Sequence, residues 1–393
     1  MPPGMRILII NRFFGGEQTP TGRMGRDVAA ELHRQAHEVS VLVSRSDYTG
    51  AAAEKSDDGR VFNVKAVKEP GRGRLLGWGG FWIHSLFAMA SRRWDCCLLL
   101  TDPPFLPLAA WLTRPFRTSQ QRIYWWTMDI YPEALVAAGM IREDGAFNRV
   151  LRRLNEAGLR VITGVIALGP RQLQRLQTYR HWRAEPTFAT VVPPWDFRSL
   201  PHVESSVARI GDQLGTQGRK VALYTGNLGE GHLFAPLAEG ARCFWQQGRK
   251  DWLFIFAIRG SGRRELEKMT ADLPNFKVCD YFPVSDTAGL LWSATVHLVT
   301  MKPGWEGVIV PSKLYGALNT RAPVLFLGPL SADTAGELKA FNRGQSLPPE
   351  ATGQMVASAL DELANPSWAH ETQLVLDGPR RIAEFITAEP VRR

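Results

Sequence analysis

The chain has 393 residues with 45% hydrophobic and 22% charged content, a globular composition, and its length exceeds what one hydrophobic core normally serves. The net charge of +9 lies in residues 1–195, which hold 26 Lys and Arg against 17 Asp and Glu, whereas the remaining residues are balanced. An anionic membrane face, phosphorylated substrates or nucleic acid would suit this excess. Nucleic acid is the weakest of the three, because no zinc-ligand spacing or recognition motif is present.

Neither the cysteines nor the N-terminus indicates export or membrane insertion. The apolar run that begins at Ile7 is only four residues long, which predicts a first core strand and not a signal peptide. No segment reaches the ~20 apolar residues that a spanning helix needs. Four cysteines lie in apolar, strand-like segments without metal-ligand spacing, which predicts reduced thiols in a cytoplasmic protein: Cys96, Cys97, Cys243 and Cys279.

In chain order, the first half alternates strands and helices. RILII (6–10) predicts a buried strand, residues 23–37 carry apolar side chains at helical spacing, and EVSVLVS (38–44) predicts the next strand. Further strands are predicted within 96–100, 123–126 and 161–168. A βαβ opening of this kind builds a parallel sheet, because its crossovers are right-handed.

The second half repeats this alternation after a segment with three prolines at 190–202, where we place the domain boundary. Its strands are predicted within 220–227, 251–262, 277–282, 295–301 and 323–328. We therefore predict an α/β protein of two facing Rossmann-like domains, 1–195 and 196–375, with parallel sheets and a cleft between them. A partly helical tail at 376–393 is a candidate for packing back on the first domain.

Glycine-rich turns follow strands in both halves. Gly15, Gly16 and Thr21 precede a helix, where backbone amides favour anions, although an ordinary strand–helix connection fits equally well. In the second half, GNLGEG (226–231) and RGSG (259–262) lie at the carboxyl ends of predicted parallel strands, where ligands of open α/β sheets bind. Two such turns in one domain favour a nucleotide site.

The segment 304–329 places charged residues around a short predicted helix. Glu306 precedes an apolar run, and Pro311, Ser312 and Lys313 then open the helix. A serine is a common helix cap, but the helix dipole disfavours a lysine in the first turn. We interpret Lys313 as facing a phosphate, and a solvated lysine is the alternative.

Residues 71–94 combine aromatic and aliphatic side chains, Trp82 and Phe87 among them, with arginines at both ends. The flanking arginines are Arg72, Arg74, Arg92 and Arg93. This composition suits a helix lying on an anionic membrane, and a buried helix of the first domain is the other interpretation.

Five segments, in this order, resemble family 4 of the glycosyltransferases, in particular the branch that makes bacterial O-antigen, capsule and colanic-acid-type polysaccharides. They are ILIINRFFGGEQTPTGRMGRDVAAELHRQAHEVSVL, TDPPFLPLAAWL, WWTMDIYPEALVAAGMI, VALYTGNLGEGH and EGVIVPSKLYGALNTRAPVLFLGP, and together they span most of the chain. The resemblance implies the GT-B fold, metal-independent retaining transfer, and a nucleotide-sugar donor bound by the C-terminal domain.

Family members often hold the donor diphosphate with an arginine and a lysine after the first strand of the second domain, but the matching turn here has no lysine. They also carry two glutamates separated by seven residues. Glu306 matches the first, whereas the second falls on Leu314 by spacing, or on Gly316 if the helix is aligned on PSKLY. The missing carboxylate keeps open a non-catalytic homologue that binds nucleotide sugars.

The resemblance implies roles for individual residues. Lys313, Arg259 and the loop amides would stabilise the leaving diphosphate, Glu306 would hold sugar or ribose hydroxyls, and Tyr281 or Phe282 would flank the base. The predicted donor-binding residues are Gly226, Asn227, Gly229, Glu230, Arg259, Gly260, Gly262, Tyr281, Phe282, Pro311 and Ser312. The predicted catalytic residues are Asp129, Glu306 and Lys313.

On the acceptor side, Asp129, Tyr131, Pro132 and Glu133 match the branch's Asp-x-Tyr-Pro-Glu segment. Asp129 would bind or deprotonate an acceptor hydroxyl, or it would cap the helix near Pro132, and both interpretations stay open. The predicted acceptor-side residues are Gly15, Gly16, Thr21, Tyr131 and Glu133.

We therefore predict a retaining glycosyltransferase of bacterial surface polysaccharide synthesis. It would move a hexosyl or N-acetylhexosaminyl group from a nucleotide sugar, a UDP-sugar by preference, to a polyprenyl-diphosphate-linked glycan. We expect neither cofactor nor metal, since no Asp-x-Asp motif is present, and peripheral contact with the inner membrane through residues 71–94. A nucleotide-sugar 2-epimerase, which shares the two-domain fold, is the alternative enzyme.

Overall fold

The computed structural model describes residues 4–14, 19–44, 63–67, 74–91, 93–195, 201–216, 218–368 and 377–388. The chain divides into two compact units, each treated by itself below. The first comprises Met1–Pro194, Gly307–Ile309 and Asp377–Arg393, and the second comprises Trp195–Glu306 and Val310–Leu376. The division at 194/195 lies next to the boundary expected from the sequence. The assignment of Gly307–Ile309 to the first unit has no counterpart in the sequence pattern.

The first unit contains a seven-stranded parallel sheet. Its strands are β1 (Arg6–Ile10), β2 (Glu38–Ser44), β3 (Asn63–Val67), β4 (Cys96–Leu99), β5 (Arg122–Trp126), β6 (Gly164–Ala167) and β7 (Ala189–Val191). They lie in the order β3-β2-β1-β4-β5-β6-β7. The helices in chain order are α1 (Pro20–Arg34), α2 (Arg74–Ala90), α3 (Leu106–Leu112), α4 (Glu133–Ala137), α5 (Ala146–Leu159) and α6 (Pro170–Gln177).

The second unit contains a six-stranded parallel sheet in the order β10-β9-β8-β11-β12-β13. Its strands are β8 (Lys220–Asn227), β9 (Trp252–Arg259), β10 (Phe276–Cys279), β11 (Val296–Thr300), β12 (Val324–Leu327) and β13 (Gly344–Leu347). Its helices are α7 (Glu204–Leu214), α8 (Ala235–Gln246), α9 (Arg263–Thr270), α10 (Val284–Trp292), α11 (Lys313–Leu318), α12 (Asp333–Phe341) and α13 (Gly353–Leu363).

The last helix, α14 (Gly378–Thr387), belongs to the first unit although the chain reaches it only after the second. Phe385 of α14 lies edge-on to Tyr124 of β5, with ring centroids 5.5 Å apart. The guanidinium of Arg381 donates to the carbonyl oxygen of Val191 in β7 at 2.8 Å. The C-terminal helix therefore covers part of the first sheet.

Aromatic side chains fill the core of the second unit and fix the position of Tyr224. Its ring stacks on Phe256 at 5.1 Å with an interplanar angle of 8°, and Phe256 stacks in turn on Phe276 at 4.8 Å. Tyr224 is fully buried near the carboxyl end of β8. Such close packing holds its ring, and hence its hydroxyl, in one place.

The cysteines agree with the prediction of free thiols made from the sequence. All four cysteines are unpaired, and burial raises the pKa of the Cys96 thiol to about 12, so this thiol stays protonated. Within the described part of the chain, no helix is long and apolar enough to cross a membrane.

Candidate functional site

The order of strands in the second sheet marks where a ligand is expected. From β8 the chain proceeds outward through β9 and β10, then returns to place β11 on the other side of β8. Open parallel sheets bind ligands beyond the carboxyl ends of strands at such a switch point. Gly226 and Asn227 end β8, and Thr300 ends β11.

The two glycine turns predicted from the sequence pack directly on each other at this edge. The amide of Leu228 donates to the carbonyl of Arg259 at 2.7 Å, and the amide of Gly262 donates to the carbonyl of Leu228 at 3.0 Å. The hydroxyl of Ser261 donates to the carboxylate of exposed Glu230 at 2.8 Å. The turns therefore form one continuous rim.

Gly260 is required for this packing, and its replacement gives a first prediction. Its φ is +120°, and a Cβ would lie 2.4 Å from the Asn227 side chain and 2.6 Å from the Leu228 carbonyl oxygen. We expect Gly260→Ala to reduce the free energy of unfolding by about 2–4 kcal/mol, since backbone must move. Gly304→Ala is the control for positive φ alone, because Gly304 has φ +85° and open space around it. If urea unfolding shows that both variants lose the same free energy of unfolding, the loss in Gly260→Ala is not caused by the steric clash.

Lys313, the first residue of α11, extends into the turn that follows β8. Its ammonium donates to the Tyr224 hydroxyl and lies 3.3 Å from the carbonyl oxygen of Asn227 and 3.4 Å from Nε2 of His232. It also lies 4.0 Å from the centroid of the Tyr224 ring. All these contacts are neutral, and none of the described residues gives Lys313 a carboxylate partner.

His232 is held as a neutral acceptor toward Lys313. Its Nδ1 lies 3.0 Å from the carbonyl oxygen of Thr300, which assigns the ring proton to Nδ1 and leaves Nε2 to accept. Burial, followed by the nearby charge of Lys313, lowers the pKa of His232 to about 3. The imidazole is therefore uncharged over the physiological range.

Burial lowers the pKa of Lys313 well below its ordinary value, because no anion compensates for the lost hydration. An anionic ligand placed beside its Nζ would supply the missing counter-charge. Since Lys313 reaches the turn that lacks a lysine of its own, the amino group of a lysine from α11 lies at this edge of the sheet. The sequence did not place these groups together: Tyr224, His232 and Lys313 are separated by up to 89 residues.

The structure separates the two aromatic candidates for the base. The guanidinium of Arg259 lies 4.9 Å from the centroid of the Tyr281 ring, at the rim formed by the turns. Phe282 packs instead against the hydrophobic cluster that contains Ile255 and Leu291. Tyr281 is therefore better placed to contact a ligand than Phe282.

The remaining donor-side residues lie around the start of α11. Glu306 is partly buried, Pro311 is buried, and Ser312 occupies the N-cap position without a capping hydrogen bond from its side chain. Both positions proposed for the absent second glutamate, Leu314 and Gly316, are buried, and Leu314 is fully so. An unpaired carboxylate would be costly at Leu314.

In the first unit, the predicted acceptor-side residues differ in exposure. Asp129 is exposed in the bend after β5, and Pro132 occupies the N-cap position of α4. Glu133 is buried, where it accepts a hydrogen bond from the Tyr179 hydroxyl at 2.5 Å. Thr21 lies in the first turn of α1, whereas Gly15 and Gly16 lie outside the described residues.

Sequence reasoning missed polar residues at the switch point of the first sheet, between β1 and β4. Arg12 and Asp102 form an ion pair of 3.5 Å there, and the hydroxyl of Thr101 accepts from the amide of Met128 at 2.7 Å. Their positions in the sequence could have identified these residues, because Arg12, Thr101 and Asp102 each follow closely on a predicted strand.

No protein-family model matches the chain. The probable glycosyltransferase WbjE of Pseudomonas aeruginosa is 22% identical over 364 residues, covering 88% of this chain and 86% of WbjE. WaaG, a glycosyltransferase involved in lipopolysaccharide biosynthesis, has a TM-score of 0.67 at 16% identity, covering 98% of this chain and 100% of WaaG. HepE of Anabaena, in complex with UDP and glucose, has a TM-score of 0.63 at 16% identity over 97% and 95% of the two chains.

These similarities confirm the resemblance and the fold class inferred from the sequence. The two parallel sheets of seven and six strands are those of a GT-B protein. The chain has the GT-B fold and is related to bacterial glycosyltransferases.

Proposed function

We propose that the protein is a glycosyltransferase of bacterial surface polysaccharide synthesis that uses a nucleotide-sugar donor. The observation that carries this proposal is the ammonium of Lys313, which lies at the switch point of the second sheet among neutral acceptors only. A diphosphate in the same place would accept hydrogen bonds from this ammonium and from amides of the two glycine turns other than those of Leu228 and Gly262, which already donate to carbonyl groups of the rim. Such groups stabilise the negative charge that develops on a leaving diphosphate.

A UDP-sugar is the donor that we propose. The complex of the structurally similar HepE with UDP and glucose supports this choice. The base would lie near Tyr281 and Arg259, while Glu306 would accept hydrogen bonds from ribose or sugar hydroxyls. The transfer would retain the anomeric configuration and need no metal.

The acceptor would be a hydroxyl of a lipid-linked glycan, bound by the first unit at the cytoplasmic face of the membrane. Asp129 is exposed directly after β5, so it can reach a bound ligand. We propose that its carboxylate orients or deprotonates the acceptor hydroxyl. Tyr131 and Thr21 would complete this side of the site.

Thermal denaturation with a panel of UDP-, GDP- and dTDP-sugars tests the donor. UDP-sugars should raise Tm, because a ligand bound only by the folded state stabilises it. If no nucleotide sugar raises Tm, the proposal fails. Binding without transfer or hydrolysis over a set of lipid-linked acceptors would favour a non-catalytic homologue, and conversion to another nucleotide sugar without acceptor would favour an epimerase.

A further inference from the structure

Asp129 is exposed in a segment whose neighbouring residues are buried. Thr127 and Ile130 are fully buried and Met128 is 6% exposed, whereas Asp129 between them is exposed. Residues 127–132 lie between β5 and α4 and belong to neither. Their buried backbone groups therefore need hydrogen-bond partners from elsewhere in the fold.

Two buried side chains hold the backbone of Met128, directly before Asp129. The amide of Met128 donates to the hydroxyl of Thr101, just beyond β4, at 2.7 Å. Its carbonyl oxygen accepts from the side-chain amide of Gln172, in α6, at 3.1 Å. Thr101 is 8% exposed and Gln172 is fully buried. Because these groups are shielded from solvent, water would not readily replace a partner that is lost.

Gln172 is itself held in one orientation. Its side-chain oxygen accepts from the amide of Leu168 at 2.7 Å and from the hydroxyl of Thr127 at 2.9 Å. These two donors assign the oxygen and the nitrogen of the side-chain amide, and the NH₂ group is left to donate to Met128. The position of the Met128 carbonyl is therefore fixed by a side chain that cannot turn without losing three hydrogen bonds.

Further hydrogen bonds hold the chain on the other side of Asp129. The amide of Ile130 donates to the carbonyl of Val308 at 3.3 Å. The carbonyl oxygen of Tyr131 accepts from the side-chain amide of Asn155, in α5, at 2.9 Å, and Asn155 is 1% exposed. All of these partners belong to the first unit. The backbone is therefore fixed both before and after the one residue that it presents to solvent.

The geometry points to Thr101 and Gln172 as positioning residues for the carboxylate of Asp129. Both act through the backbone of Met128, which sets the direction in which the next side chain leaves the sheet. This inference rests on the proposed function, in which that carboxylate orients or deprotonates the acceptor hydroxyl. A reactive group held in place reaches the productive geometry at little entropic cost, and a displacement of about 1 Å can lower a rate about 100-fold.

Thr101→Val tests the inference, because valine has nearly the shape of threonine but cannot accept from Met128. Turnover, measured as UDP released from a UDP-sugar in the presence of a lipid-linked glycan, should fall about 10- to 100-fold. KM for the UDP-sugar should stay within about 2-fold, because the contacts proposed for the donor are unchanged. Thr101→Ser, which retains a hydroxyl, should restore most of the turnover.

A double-mutant cycle separates positioning of Asp129 from a general loss of stability. In the Asp129→Asn variant, Thr101→Val should lower turnover by less than about 2-fold, because the carboxylate that Thr101 positions is already absent. Hydrogen exchange of the full chain needs no ligand. Amides in residues 128–133 should exchange faster in Thr101→Val, whereas those in residues 226–231 should not change.

Thr113→Val is the matched control. Thr113 is 3% exposed in the same unit, and its hydroxyl donates to the carbonyl of Ala109 at 3.0 Å. Its replacement by valine should lower Tm but leave turnover and exchange in residues 128–133 unchanged.

The inference is overturned if Thr101→Val lowers turnover no more than Thr113→Val does, or by the same factor with and without the carboxylate of Asp129. Unchanged exchange in residues 128–133 would overturn it as well. In each case, transfer by the wild type would leave the proposed function intact. If the wild type neither binds nor turns over any nucleotide sugar, the proposed function fails, and with it the role of Asp129 on which the inference rests.

Discussion

Replacing Lys313 with methionine should lower turnover by about 100- to 1,000-fold, the usual effect of removing one group that stabilises charge in a transition state. The same change should weaken UDP binding, because the diphosphate would lose the cation that we propose to face it. Stability should not fall. Burial lowers the pKa of Lys313, so the unfolded chain binds this proton more tightly than the folded one, and the wild type loses stability as pH falls below the ordinary lysine pKa. Methionine carries no charge, so this loss of stability is absent in the variant, and its Tm at neutral pH should be unchanged or higher.

Lys339→Met is the control, because Lys339 is exposed at the end of α12. It should retain both turnover and UDP affinity. UDP affinity is measurable by calorimetry before any acceptor is known. Near-normal UDP binding and turnover by Lys313→Met would contradict the proposed role of Lys313 in the site. The neutral groups around Lys313 would then have a structural role only.

The carboxyl group of Glu337 should make the stability of the protein depend on pH. Glu337 of α12 accepts a hydrogen bond from the buried Tyr315 hydroxyl at 2.6 Å. Burial, followed by the nearby charge of Asp333, raises the pKa of Glu337 from 4.5 to about 7. The folded state therefore favours the protonated carboxyl, and its contribution is fully present below about pH 4.5 and lost as pH rises through 7. Glu337→Gln, which stays neutral, should be more stable than the wild type at pH 8 by up to about 3 kcal/mol.

Urea unfolding at pH 5 and pH 8 measures this difference. The gain from Glu337→Gln should be much smaller at pH 5, where the wild-type carboxyl is largely protonated. Glu350→Gln, at an exposed loop position, should change stability little at either pH. An equal gain at both pH values would rule out titration of Glu337 as the cause.

The central strands could be predicted because their residues are continuously apolar, as in parallel sheets that are covered on both faces. The bounds predicted for β1, β2 and β8 match the structure. The edge strands β3 and β13 were not predicted. NVKAV and GQSL contain polar residues and lack an apolar run, since an edge strand is paired on one side only.

The glycine turns of the second half could be located from sequence because glycine follows a strand in each. The sequence could not show that side chains from different helices and strands come together at one site. The site of Lys313 depends on where α11 lies relative to β8, which is decided by tertiary packing. The same reason explains why Phe282 was a candidate for contact with the base: the sequence does not show whether an aromatic side chain contacts the core or solvent.

The late position of α14 in the chain has a consequence for synthesis. The first unit begins at the N-terminus, yet Phe385 packs on Tyr124 and Arg381 bonds to Val191. During synthesis, this part of the surface of the N-terminal sheet therefore stays uncovered until residues 378–387 have been made. A fragment ending at Pro194 would lack the helix permanently, so a gene cut at the apparent domain boundary would encode an incomplete fold.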